Sequence, residues 1–438
     1  MPKLEHAIVI GGSIAGMLAA RVLSDFYRQV TIVERDRLTD EPEPRKAVPQ
    51  GRHIHALLAR GHEILDELFP GLMAELEEAG APVGDFGADV SWYFGTQKIQ
   101  QTETGMTCIS AGRPLIEQRI RRRVTARPNV RLLDETEATG LLADAGGSRV
   151  TGIAVHRPAA ADGPSRLEAD LIVDAAGRGS RLPVWLAGLG HPDVRRESVN
   201  VGLGYATVYF EDFPGPDPLG KDLGVVVSAI PGSPRGAIVA RMPGRFGISL
   251  IGLRGDHPPR ELGPFLDFLA TLPLPEIHRA AVSAEPAGPP VTFHYPASIR
   301  HRYERVKTIP DGLIALGDGF ASFNPIYGQG MTVAAIGADL LRRHVERYAA
   351  VRPATFLREL AGQVAAPWAL ATGTDLAFPE TEGTRTLMTR VGNAYIPRLR
   401  RAAEQDPVLS RAFLRVAGLV EAPSTLFRPA ILARTLAA

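Results

Sequence analysis

The segment GGSIAG, Gly11 to Gly16, has the spacing of a dinucleotide-binding turn, with Ser13 in place of the middle glycine of G-x-G-x-x-G. Gly11 permits the tight turn, and Gly12 and the small Ser13 keep the backbone open to a pyrophosphate. Ile14 and Ala15 start the helix, and Gly16 lets that helix pack close to a sheet. Glu34, followed by Arg35, stands where the next strand ends, and an acidic side chain there accepts hydrogen bonds from ribose hydroxyls. This fingerprint does not separate a nicotinamide dinucleotide from a flavin one, so two distal motifs decide. DLIVDAAGRGSRLP, Asp170 to Pro183, is a buried strand running into a glycine-bracketed turn. GDGFASFNPIYGQGM, Gly317 to Met331, places Asp318 where it can accept hydrogen bonds from a ribityl chain. Its Gly328, Gly330 and Met331 expose amides at a helix N-terminus, which favours the anionic charge of a reduced flavin.

Those residues need elements to hold them. Strand Ala7 to Ile10, helix Ala15 to Phe26 and strand Val30 to Val33 make a βαβ beginning. Arg35 to Arg52, with Pro42, Pro44 and Pro49, is a loop over the surface or along a ligand, so Arg45 and Arg52 reach either the cofactor or solvent. A helix is expected over His53 to Phe69, strands between Val83 and Thr107, and a helix from Arg113 to about Ala126 with Pro114 in its first turn. Arg121, Arg122 and Arg123 read as its charged face. Ala138 to Ala143 and Val150 to His156 form a hairpin, and Leu171 to Val173 is a buried strand. Strand-like runs with Gly/Pro turns fill 200 to 300 as a largely antiparallel sheet. Leu313 to Leu316 is a strand, Met331 to about Arg347 a helix, and the remainder mostly helical.

The fold class is therefore α/β: a Rossmann-like FAD-binding domain with an inserted antiparallel β-sheet substrate domain and a C-terminal helical region. The expected boundaries assign 1–82, 108–198 and 306–347 to the FAD-binding domain. Substrate-domain strands occupy 83–107, the substrate-binding β-sheet domain 199–305, and the helical region 348–438.

With 49 basic and 48 acidic residues the chain has no global field to draw nucleic acid or an anionic membrane. One cysteine, Cys108, makes no internal disulfide and reads as a small hydrophobe. A reducing, cytoplasmic setting is expected. His53 and His55 lack a third partner at ligand spacing, so no metal site is expected and helix-start or cofactor-loop roles are preferred. Gly11 and Gly12 interrupt the apolar stretch Ala7 to Ala20, which suits a strand and turn better than an export signal, and no other run reaches the length of a membrane span. Trp92, Tyr93 and Phe94 alternate on a strand, with ordinary core packing favoured over pocket lining.

Together the three motifs resemble the FAD-dependent monooxygenases of the p-hydroxybenzoate hydroxylase fold. PRKAVPQGRHIHALLARG, VDAAGRGSRLPVWL and FNPIYGQGMTVAA are similar to the bacterial branch that includes squalene-epoxidase-like polyether epoxidases and other tailoring flavoproteins of natural-product and antibiotic biosynthesis. The resemblance implies that Asp318 contacts the ribityl chain, Glu34 the adenosine ribose and Arg113 the FAD diphosphate or ribityl region. It departs from the family's Asp-Gly pair at Asp174, which is followed by Ala175, Ala176 and Gly177.

It also implies a reaction of reduced FAD with molecular oxygen through a flavin hydroperoxide, giving epoxidation or hydroxylation of a hydrophobic polyketide- or terpenoid-like small molecule. Only one dinucleotide fingerprint is present, so electrons come either from transient NADPH binding or from a separate flavin reductase. The sequence nominates no catalytic base and no oligomeric state. Aromatic hydroxylation and a non-redox cyclase that keeps FAD as a structural element stand as alternatives. The tryptophan-x-tryptophan signature of related halogenases is absent, because Trp92, Trp185 and Trp368 lie far apart.

Overall fold

Four short runs, AIVI, VTIV, LIVD and LIA, are too uniformly apolar for strands with a wet face, and the fold buries all four in one sheet. The computed structural model describes residues 4–55, 57–158, 165–191, 194–211 and 213–437. Its five-stranded parallel sheet runs Leu313–Ala315, Leu171–Asp174, Leu4–Ile10, Tyr27–Val33, Val130–Leu133. The last of these is an edge strand that the sequence reading does not nominate. Its exposed Arg131 breaks the apolar pattern, as a half-wet edge allows. Because the strands are parallel, Gly11, Glu34, the Asp174 turn and the Gly317–Gly319 turn all emerge at one carboxyl edge, where open α/β sheets bind ligands.

Helices Ile14–Phe26 and Gln329–Tyr348 pack against each other, and both begin at that edge. A hairpin of Glu137–Ala143 and Val150–His156, extended by Ser165–Glu168, forms a separate antiparallel sheet.

The second large layer is an eight-stranded sheet. It runs Ala321–Ser322, Val291–His301, Arg196–Phe210, Arg245–Leu253, Arg235–Met242, Gly224–Ser228, Val90–Phe94, Gln97–Lys98. Its pairings are antiparallel except that Val90–Phe94 joins Gly224–Ser228 in parallel. Alternation along Arg196–Phe210 sends Ala206, Val208 and Phe210 to one face, while Leu203 and Tyr205 face the other.

Three expectations need correction. The 200–300 region also contains helices Leu262–Ala270 and Pro275–Ser283; Phe265, Phe268 and Leu269 sit at helical spacing and cap the first face of the sheet. The helix expected from His53 begins only at Ala59: His53 and Leu58 have extended backbone angles, and His53, Ile54, His55 and Leu58 line a cavity. Arg121 is not part of an exposed face: it is buried and donates to the Thr39 carbonyl, tying the proline-rich loop to helix Arg113–Thr125.

The C-terminal helices close the molecule. Leu399, Leu409 and Leu414 share one core with Phe86, Phe94 and Ile99. Among the described residues no helix is long and apolar enough to cross a membrane.

Candidate functional site

A cavity of about 880 Å³ opens at the carboxyl edge of the parallel sheet. It extends from the Gly11 turn to a chamber between the eight-stranded sheet and helices Leu387–Ala402 and Pro407–Ala417.

At the turn, glycine is obligatory for two different reasons. Gly11 has φ +104°, and a Cβ there would lie 2.4 Å from the Ala175 carbonyl oxygen; a Cβ on Gly16 would lie 1.8 Å from the Gly11 oxygen. Ser13 precedes helix Ile14–Phe26 but makes no side-chain cap, so the first helical amides keep their hydrogen-bonding capacity. Its hydroxyl instead donates to Glu117 Oε1 at 2.6 Å.

Around Ser13 the charges alternate. Arg113 donates to Glu117 Oε1 (2.8 Å) and to Ser13 Oγ (2.8 Å), and Arg45 donates to Glu117 Oε2 (2.9 Å) and lies 3.3 Å from Glu34 Oε2. Burial alone would raise the Glu117 carboxyl, but Arg113, Arg45 and Ser13 overcome it and hold the group at about 2. Glu34 also accepts from the Gly12 amide (2.8 Å) and the Asp36 amide (2.9 Å). A carboxylate has about four lone-pair sites, so one remains for a ribose hydroxyl.

The other two motifs meet beside this turn. Asp174 is fully buried and pushed up to about 6 by burial, although Ser180 Oγ (2.5 Å) and the Ala176 amide donate to it. Those bonds fix the Ala175 to Ser180 turn against Gly11. Asp318 lines the cavity, and among the described residues nothing donates to its carboxylate; burial raises it, with Arg113 and Arg178 pulling back. Gly328, with φ +65°, precedes helix Gln329–Tyr348, and Gly330 and Met331 in the first turn line the same space.

The far chamber differs in kind. Tyr327 Oη donates to Asp375 Oδ1 (2.8 Å), as does Asn324 Nδ2 (2.8 Å), and among the described residues Asp375 Oδ2 has no partner. Burial pushes Asp375 up to about 7 against those hydrogen bonds. His53 is 3% exposed and held neutral by burial, at about 3; its Nδ1 bonds Thr207 Oγ1 (2.8 Å), and among the described residues its Nε2 is unpartnered.

Uncapped helical amides, an unengaged Asp318 and a Glu34 with spare capacity supply donors for a diphosphate and acceptors for a ribityl chain and a ribose. These residues fit FAD. A family model described as an FAD binding domain matches residues 5–217. The chain is 36% identical to protein Rv3254 of Mycobacterium tuberculosis, over 96% of this chain and 90% of that protein. The chain belongs to the same family as that protein, and its first half carries an FAD-binding domain.

Solved structures of flavin-dependent enzymes share the fold. The flavin-dependent brominase Bmp2 superposes with a TM-score of 0.70 at 15% identity, covering 99% of this chain and 100% of that one. The p-nitrophenol 4-monooxygenase PnpA of Pseudomonas putida gives 0.66 at 17%, covering 95% and 99%.

As an FAD-dependent oxidoreductase of this family, the protein gathers most of the residues nominated from sequence. Gly11, Ser13, Ile14, Ala15, Glu34, Arg35, Arg113, Asp318, Gly328, Gly330 and Met331 line the cavity. Gly12, Gly16 and Arg45 stand behind it, shaping the turn and bracing Glu34 and Glu117. His53 and His55 line it from the extended loop, and among the described residues no His, Cys, Asp or Glu cluster has the makings of a metal site. Phe94 belongs to the core shared with the C-terminal helices and Trp92 packs against it, as the core reading has it, and both also line the cavity, while Tyr93 packs on the opposite side of the sheet. Cys108 is buried at the wall, its thiol pushed up to about 12 by burial and the nearby Asp85 and Asp89.

Sequence reasoning missed Glu117, Asp375 and Arg400. Glu117 was signalled by its i,i+4 relation to Arg113 on one helix face. Asp375 ends a helix and Arg400 lies in an arginine-rich run, and neither carries a local signature.

Proposed function

We propose that the protein is an FAD-dependent monooxygenase that places one oxygen atom on a hydrophobic polyketide- or terpenoid-like intermediate. The observation that carries this reading is the continuity of one cavity from the dinucleotide turn to a chamber walled by Val90, Trp92, Phe94, Val226, Ile396 and Phe413. The Gly11 to Gly16 turn, Arg113 and the amides of the Gln329–Tyr348 helix would hold the phosphates and the flavin's anionic charge; Glu34 would take the ribose and Asp318 the ribityl chain. Bound and reduced, the flavin supplies the activation of molecular oxygen. The apolar walls orient the substrate and exclude water.

Hydroxylation of a phenol-like substrate gains support from the Tyr327 and Asp375 pair. A substrate hydroxyl donating to Tyr327 Oη can pass its proton on to Asp375 Oδ1, whose carboxyl titrates near neutrality. Epoxidation needs no such base. Electrons arrive from NADPH bound transiently or from a separate flavin reductase.

The test is anaerobic reduction of the purified protein by NADPH, and in parallel by a flavin reductase, followed by oxygen with candidate polyene and phenolic substrates. A product heavier by one oxygen atom supports the reading. Conversion to an isomer of unchanged mass, with the flavin oxidised throughout, overturns it in favour of a redox-neutral cyclase.

A further inference from the structure

Helix Leu387–Ala402 turns Asn393, Ile396, Pro397 and Arg400 toward the chamber, the i, i+3, i+4, i+7 stripe of one helix face. Three of these are ordinary lining. Arg400 is not, because it places a permanent cation against the Phe94 ring in a cavity whose lining also includes Val90, Phe413, Val416 and Leu426.

Among the described residues Arg400 makes no hydrogen bond and no ion pair, and its Nε is buried without a partner. Its guanidinium lies 4.6 Å from the Phe94 ring centroid, a contact that offsets only part of the cost of withdrawing a charge from water. Among the described residues Tyr327 is the one group whose charge would act on it, and that phenol is kept neutral: burial and Asp375 push it well above its ordinary range. The other arginines at the cavity wall are accounted for. Arg113 is paired with Glu117, and Arg35, Arg178 and Arg181 are exposed to solvent.

We propose that Arg400 is the anchor for a carboxylate carried by an otherwise apolar substrate. A planar guanidinium matches a carboxylate in two-point geometry, and the apolar surroundings strengthen the pair once water is displaced. The substrate is then amphipathic, its acid at the Leu387–Ala402 helix and its apolar body along the sheet. This inference rests on the monooxygenase reading only in taking the chamber as the substrate site.

The experiment titrates the FAD-loaded protein calorimetrically with dodecanoate and a naphthalene carboxylate, each beside its neutral methyl ester. Binding of at least one acid about tenfold or more tighter than its ester is expected. Arg400→Met should erase that preference, and Arg400→Lys should restore part of it. Equal affinity of acid and ester, a preference unchanged in Arg400→Met, or failure of both acids to bind overturns the proposal. The wild-type preference and Arg400→Lys carry the decision if the Met variant does not fold. Flavin content, read from the visible absorbance of the same samples, separates the two failures. Loss of flavin from the wild type strikes the monooxygenase reading, whereas retained flavin without acid preference strikes only the role of Arg400.

Discussion

The two ends of the cavity treat buried charge in opposite ways. At the dinucleotide end Arg113, Glu117, Arg45 and Glu34 form an unbroken alternation of sign, every member within 3.3 Å of the next. In the far chamber, among the described residues, Arg400 has no anion and Asp375 no cation. Paired buried charges hold a shape before any ligand arrives. Unpaired ones carry a desolvation cost that a ligand or a shared proton must relieve. The contrast separates an end whose charges are paired in advance from one whose charges lack protein counter-ions among the described residues.

The largest expected effect breaks the preorganised end outright. Gly11→Leu puts a side chain against the Ala175 carbonyl at a φ that only glycine tolerates well, so purified protein should carry almost no flavin. Wild-type flavin content in that variant would falsify the placement of the diphosphate. Next comes Glu117→Gln, which leaves the Arg45 and Arg113 guanidiniums short of their shared anion. Breaking one partner of such a buried set costs about 3–5 kcal/mol, read as a lower denaturation midpoint at neutral pH. Because the folded carboxyl sits near 2, below its ordinary 4.5, its stabilisation is present above pH 4.5 and disappears as pH falls toward 2. The gap between wild type and variant should close over that same range.

How much of each end was legible follows the same divide. The dinucleotide end is built from short-range rules: Gly11 and Gly16 meet local steric limits, Glu34 follows its strand directly, and Arg113 opens a helix behind Gly112. Local rules leave local signatures. The substrate end is assembled from residues 92, 327, 375 and 400, brought together by packing of the C-terminal helices on the sheet, and no spacing in the chain records that meeting. His53 shows the intermediate case. Its helical periodicity is real, yet contacts to Tyr205, Phe293 and Thr207 engage His53, whose backbone is extended, and override it.

Asp318→Ala sharpens the comparison where the two ends adjoin. The carboxylate faces the cavity with no donor among the described residues, so removing it should leave the fold intact and weaken FAD. Loss of one charge-assisted hydrogen bond corresponds to about 1.5–3 kcal/mol, and flavin release during dialysis measures it. Retention equal to wild type would mean that the ribityl chain lies elsewhere.

The smallest effect concerns Asp375 and is a change of slope. Its folded carboxyl titrates near 7 instead of 3.8, so the unfolded chain gives up its proton first as pH rises. Folding stability from this group is complete below about pH 4 and is lost as pH climbs through 7. Asp375→Asn keeps an acceptor for Tyr327 and has no proton to lose, so its stability should stay flat where the wild type declines. Between pH 5 and pH 7 the two curves should approach or cross by about 2 kcal/mol, measured by urea denaturation. Parallel curves would mean that Asp375 keeps a near-ordinary acidity in the folded protein, which would leave it too weak a base to take the proton passed through Tyr327 and turn the proposed chemistry toward epoxidation.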